Sequence, residues 1–166
     1  MSKAVLGFRF DPDECIQCHA CEVACVMWRG LEKAVKWRRV ISNFHGSYPN
    51  AKMVPVAVSC LHCNEPACVS ACPVGAISKR ESDGVVLVST DLCVGCRACF
   101  EACPVDAPQF GADGLMQKCD LCVNIEEGEP PCVRTCPTRC LTKELIELEE
   151  KAMLDEKVIA EYNYGR

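Results

Sequence analysis

No apolar run in this chain approaches the roughly 18 residues that a membrane span needs. The apolar positions fall instead into short stretches. Residues 5–10 (Val-Leu-Gly-Phe-Arg-Phe) read as a strand, 21–28 as a helix, and 36–41 as a second strand. Residues 45–50 (His-Gly-Ser-Tyr-Pro-Asn) read as a loop, and 54–59 as a third strand. Residues 76–78 and 85–88 flank Glu81-Ser82-Asp83-Gly84, a spacing that predicts a hairpin with a glycine turn. Residues 109–116 read as a glycine-bearing loop and 126–131 as a polar one. From Thr142 onward Leu145, Leu148, Met153 and Val158 fall on or near one stripe, which predicts a Glu-rich helix over 144–164.

Cysteines interrupt these stretches in a strict pattern. Sixteen of the 17 form four quartets: Cys15, Cys18, Cys21, Cys25; Cys60, Cys63, Cys68, Cys72; Cys93, Cys96, Cys99, Cys103; and Cys119, Cys122, Cys132, Cys136. Pro73, Pro104 and Pro137 follow three of the four at once. The pattern C-x2-C-x2-C-x3-C-P is that of bacterial ferredoxins and holds cubane iron–sulfur clusters. Three closely spaced thiolates on a tight loop can reach three iron corners of one cube. The fourth cysteine, three residues on, is carried away and serves a neighbouring cluster. Four quartets imply four [4Fe-4S] clusters.

Other uses of cysteine fit less well. A disulfide scaffold meets an odd count and an N-terminus charged too early for an export signal. Structural zinc prefers well-separated C-x2-C pairs. With sixteen thiols filling four sites, His19 and His62 read as ordinary loop residues, and Cys140 as a small buried one. The formal charge of −5, made more negative by bound clusters, argues against nucleic acid as a partner. Modules of this size cannot rest on apolar cores alone, so folding is expected to depend on metal.

The hairpin between Cys72 and Cys93 suggests which quartets pair. It places the second and third in one module: Cys60, Cys63, Cys68 with Cys103, and Cys93, Cys96, Cys99 with Cys72. The first and fourth then form the other: Cys15, Cys18, Cys21 with Cys136, and Cys119, Cys122, Cys132 with Cys25. Pairing first with second and third with fourth is the alternative. The nested reading gives an α+β fold of two ferredoxin-like modules, each with two clusters. Residues 1–52 and 105–141 form the outer module, 53–104 the inserted one, and 142–166 a C-terminal helical extension.

The chain resembles the four-cluster iron–sulfur subunits of molybdenum- and tungsten-pterin oxidoreductases, the dimethyl sulfoxide reductase electron-transfer type. The matching stretches are 15–25, 36–40, Ser59-Cys60-Leu61-His62-Cys63-Asn64-Glu65-Pro66-Ala67-Cys68, 93–104 with Ala107-Pro108-Gln109, Lys118-Cys119-Asp120-Leu121-Cys122, and 132–137. That family's pairing is nested. Some relatives carry tryptophan at the position of Cys96 and hold a [3Fe-4S] cluster there. Cys96 implies four cubanes. Many relatives also have a membrane anchor or an export signal. Neither is visible here, so a cytoplasmic location without direct membrane insertion is expected.

The resemblance implies a chain that is not catalytic alone and that relays electrons between a pterin-bound metal subunit and another redox carrier. The partner would be of the dimethyl sulfoxide reductase or formate dehydrogenase type, or of the tungsten aldehyde oxidoreductase type. The short chain favours the latter. A free-standing polyferredoxin is the rival reading. The C-terminal helix covers its own module or docks a partner or another copy. Trp28 and Trp37 read as packing, and Trp37-Arg38-Arg39 as an exposed charged strand, with a cation at a cluster edge as its second reading.

Overall fold

The computed structural model describes residues 4–125 and 128–164. Part of the polar loop expected over 126–131 lies outside them. Fourteen short elements follow the chain. They are β1 (Ala4–Phe10), α1 (Ala20–Arg29), β2 (Arg38–His45), β3 (Lys52–Ser59), α2 (Ala67–Ser70), β4 (Ile77–Lys79), β5 (Val86–Val88) and a 3-10 turn (Thr90–Leu92). Then come α3 (Ala98–Glu101), β6 (Gln109–Phe110), β7 (Met116–Gln117), α4 (Pro131–Arg134), β8 (Leu141–Glu147) and α5 (Leu148–Tyr162).

The strands form two-stranded antiparallel ribbons: β1 with β8, β2 with β3, β4 with β5 and β6 with β7. The β4–β5 hairpin is the glycine-turned one expected. Gly84 there has φ +75°, and a Cβ on it would stand 2.7 Å from Val5 Cγ1, so the turn docks on β1 only as glycine. Residues 109–116 are more ordered than a loop, because Gln109 and Phe110 pair with Gln117 and Met116.

The tail differs from expectation at its start. Residues 141–147 are strand, in register with β1 from Phe10↔Leu141 to Ala4↔Glu147, and the helix begins only at Leu148. Lys, Glu and Leu favour helix, but propensity is a weak prior. The bare edge of β1 offers seven residues of backbone pairing, and that wins. The apolar stripe is accordingly split. Leu145 lies on β8 and is 67% exposed, and Met153 on α5 is 57% exposed. The face that α5 buries carries Lys151 and Tyr162.

Each of the first four helices starts one residue before the third cysteine of its quartet: Ala20 before Cys21, Ala67 before Cys68, Ala98 before Cys99, Pro131 before Cys132. Third and fourth cysteines are four residues apart, one turn and about 6 Å of helical rise. Helix α1 packs on α4, and α2 on α3. Isolated two-stranded ribbons are marginal, and the cores between these elements are small. The largest joins Val56, Val58, Val105 and Ala107 to Cys60, Cys119 and Tyr162. Thiols are thus part of the core itself.

Candidate metal centres

A shared backbone turn shapes all four loops. The residue just before the second cysteine of each quartet has positive φ: Gln17 (55°), His62 (51°), Gly95 (67°) and Leu121 (57°). Left-handed residues turn successive N–H groups inward and curl the chain into an anion-binding concavity. A second turn follows each Cys-Pro pair, again through positive φ three residues after the cysteine: Gly75, Asp106 and Arg139. One residue further on, the N–H of Ala76 donates to Cys72 Sγ at 3.3 Å, and that of Ala107 to Cys103 Sγ at 3.3 Å. Cys140 holds the same place after Cys136, with its sulfur 3.5 Å from Cys136 Sγ. All three positions bear small residues, because the backbone there closes on a sulfur.

These turns gather thiols from distant parts of the chain. Cys15, Cys18, Cys21 and Cys136 line one small cavity, together with Cys140. Cys60, Cys63, Cys68 and Cys103 line another. Cys25 interacts electrostatically with Cys132 and Cys122, and Cys119 with Cys25. Cys72 joins Cys93 and Cys99 in a buried group with Ile77, Val86 and Met116, and Cys99 interacts with Cys96 as well. Among the described residues no three His, Cys, Asp or Glu side chains converge as a site for a single ion. A cubane asks for something else: thiols spaced around a cavity.

The donor chemistry fits such a group. Burial pushes the Cys25 and Cys119 thiols up to about 12, and those of Cys21, Cys63 and Cys68 up to about 11. Iron binding must therefore displace their protons. At Cys72 burial raises the thiol, but the N–H groups of Val74, Ala76, Ile77 and Gly75 together outweigh it and lower the thiol. Arg38 is 1% exposed, with Nε and Nη1 lacking a hydrogen-bond partner, and Arg29 Nε is likewise unpartnered. A buried cation with orphaned donors among thiols suits thiolates and sulfides that carry negative charge.

Three lysines, unremarkable in sequence, hold the Cys60 loop and its neighbours by their carbonyls. Lys151 Nζ donates to Leu61 O at 2.6 Å, and Lys79 Nζ to Cys63 O at 3.0 Å and Asn64 O at 2.7 Å. Lys118 Nζ donates to Val86 O and to Cys119 O. Burial, with Lys118, Lys151 and Lys79 around it, holds the His62 imidazole well below its ordinary range. His62 is fully buried and accepts from Val86 N–H at Nδ1, 2.9 Å, so it is a structural core residue rather than an ordinary loop histidine. His19 is exposed and faces Glu22. Trp28 is exposed, whereas Trp37 packs in the core and donates from Nε1 to Gln117 Oε1 at 3.0 Å.

Known proteins share these loops. A 4Fe-4S dicluster domain matches residues 51–145, and a 4Fe-4S binding domain matches 12–28. The protein belongs to the 4Fe-4S dicluster family. It is similar to one of the chains of the anaerobic dimethyl sulfoxide reductase of Escherichia coli (41% identical over 146 residues, 81% of this chain and 71% of the relative). A sulfite dehydrogenase subunit of Allochromatium vinosum is 36% identical over 156 residues, 80% of this chain and 65% of the relative. The formate dehydrogenase iron-sulfur subunit of Wolinella succinogenes is 34% identical over 169 residues, 87% of this chain and 82% of the relative. With both iron–sulfur domains matched and four cysteine quartets, the protein carries four [4Fe-4S] clusters and serves electron transfer. Among the described residues no helix is long and apolar enough to cross a membrane.

Proposed function

We propose that the chain is the electron-transfer subunit of a molybdenum- or tungsten-pterin oxidoreductase, passing electrons between the catalytic subunit and a further redox subunit or carrier. When bound, each [4Fe-4S] cluster takes up and returns one electron at a potential that the protein sets. The similar proteins are named as chains or subunits of larger oxidoreductases, which favours this reading over a free-standing polyferredoxin. The aldehyde oxidoreductase type remains one candidate partner, beside the dimethyl sulfoxide reductase and formate dehydrogenase types.

The observation that carries the proposal is the grouping of thiols across quartets. It supports four ligand sets: Cys15, Cys18, Cys21 and Cys136; Cys119, Cys122, Cys132 and Cys25; Cys60, Cys63, Cys68 and Cys103; Cys93, Cys96, Cys99 and Cys72. Packing of α1 on α4 and of α2 on α3 supports two nested modules, divided as 1–52 with 105–141 and 53–104. The β2–β3 hairpin spans the first boundary. Cys119 interacts with Cys60, and Cys132 of the same set with Cys21, which supports a Cys119 set between the Cys15 and Cys60 sets. Cys68 packs with Cys72, Cys93 and Cys99, which supports a Cys93 set next to the Cys60 set. Cys18 and Cys96, in the two outermost sets of that row, are exposed. A row with open ends suits entry of electrons at one end and exit at the other.

Anaerobic purification with a tag on this chain tests the proposal. It should bring down a second, larger subunit whose metal analysis shows molybdenum or tungsten, and about sixteen irons and sixteen sulfides per copy of this chain. A substrate that the partner oxidises should bleach the visible absorption, and one that it reduces should restore the absorption of the pre-reduced complex. Iron near twelve, with every quartet intact, would contradict four cubanes. Recovery of a chain with full iron and no partner would favour the free carrier.

A further inference from the structure

The most unusual side chain outside the ligand sets is Arg38. It opens β2 and is 1% exposed. Its described hydrogen bond is from Nη2 to Ser59 Oγ, 3.2 Å, and Nε and Nη1 have none. The Phe8 ring lies under the guanidinium, 4.2 Å from Cζ to the centroid. Phe8 packs in turn against the core that holds Cys119 and the core that holds Cys132 and Cys21. The groups that interact with the guanidinium electrostatically are Cys132, Cys119, Cys21 and Cys25. These thiols belong to the two sets of the outer module. Burying a guanidinium without a counter-charge is costly, and the position stays viable only if the anion is supplied by what the thiols hold.

The other cations near the thiols are placed differently. Arg29 is paired with Asp120 across α1 and the fourth-quartet loop, bonds the Cys122 side chain as well, and is partly open to solvent. Lys79, Lys118 and Lys151 spend donors on backbone carbonyls, Lys118 being buried as well, and Lys151 is also paired with Asp155. Arg38 has no carboxylate among its described hydrogen-bond partners, and it is shut off from solvent. Reduction of a cluster adds one negative charge. A fixed, desolvated positive charge beside it stabilises that added charge more strongly than an exposed one could.

We infer that Arg38 is a positioning residue for electron transfer, a fixed buried cation that raises the reduction potentials of the clusters at the Cys119 and Cys15 sets above what those loops alone would give. This rests on the ligand sets proposed above. The thiols around it belong to the outer module, so its effect is largest on the two clusters there.

The test is potentiometric titration of the intact holoprotein, followed by electron paramagnetic resonance, for the parent, Arg38→Gln and Arg38→Lys. In Arg38→Gln two of the four potentials should move to more negative values, while the two inner-module potentials hold. Arg38→Lys should recover part of the shift. Full iron content with four unmoved potentials in Arg38→Gln, or an equal shift at all four, would overturn the inference. Should Arg38→Gln lose outer-module iron while Arg38→Lys keeps it, the positive charge is the requirement and the inference stands. Loss in both variants would mean that the shape of the side chain matters instead, and would sink it. A parent chain lacking clusters at these sets would show up in its own iron content and spectrum, and would refute the ligand reading before any variant is compared.

Discussion

At the scale of single residues, the repeated left-handed turn makes the quartets more than a spacing. Of the four residues that precede a second cysteine, only Gly95 is glycine. A Cβ there would meet Gly114 O at 2.7 Å, at φ +67°. Gly95→Ala should therefore destabilise by about 1–3 kcal/mol and loosen iron at the Cys93 set, read by thermal melting and iron analysis. Gln17→Gly, at the equivalent turn of the first quartet, should melt no lower than the parent, because it removes the left-handed strain of a larger residue. Equal losses in both variants would dismiss the turn argument. The fourth cysteine of each quartet makes a sharper case. Cys103 lines the cavity of Cys60, Cys63 and Cys68. Cys103→Ala should remove or convert the cluster of that set, lowering iron by up to about a quarter of the total, and leave the spectrum of the Cys93 set intact. Loss of the Cys93 signal instead would refute the nested ligand sets.

At the scale of elements, helix α5 is fastened by Val158, Ile159 and Tyr162 packed on the core and by a buried ion pair. The Lys151 and Asp155 side chains are 3% and 16% exposed, and Lys151 also holds Leu61 O. Burial raises the Asp155 carboxyl above its ordinary value, and Lys151 pulls it back. In Lys151→Met that pull is gone and the folded-state value rises further. Between the unfolded and the folded value the folded chain then binds more protons, so stability falls as pH rises through that window. Above the constant cost of the lost bond to Leu61 O, the variant's deficit against the parent should grow with pH, by up to about 3 kcal/mol at pH 8, measured by denaturant titration at several pH values in the range where the clusters are stable. A deficit independent of pH would exclude Asp155 as its source.

The same element shows where the sequence was legible. The quartets, the strands over 5–10 and 54–59, the helix after Cys18 and the glycine hairpin could be read because local chemistry dictates each. Strand β8 could not, because its seven residues take their conformation from β1, more than 130 positions away. Of the expected stripe Val158 does pack on the core, but a template of apolar positions skips Lys151 and Tyr162, which complete the buried face of α5. Arg38 read as part of an exposed charged strand for a similar reason: an arginine is usually exposed, and nothing near it in sequence announces the thiols of distant segments.

At the scale of the whole molecule, α5 has one face for its own chain and one that is free. Inward, Tyr162 is 2% exposed and donates to Asp106 Oδ2 at 2.8 Å, while Arg39 donates to its hydroxyl at 3.1 Å and to Val105 O at 2.6 Å. This ties the helix, β2 and the turn after Cys103 together. Outward, Met153 and the neighbouring strand residue Leu145 stand exposed, among Glu144, Glu147, Glu149 and Glu150. An amphipathic surface of this kind suits docking on a partner's apolar groove. Two changes separate the roles. Deleting residues 148–166 strips the cover from the Cys60 loop and should cost iron at that set. Leu145→Glu with Met153→Glu should leave iron at its parent value and weaken association, with the catalytic subunit or between copies, as seen by native mass spectrometry or light scattering. If the double variant assembles like the parent, the outer face has no partner, and α5 serves only to close its own chain over the clusters.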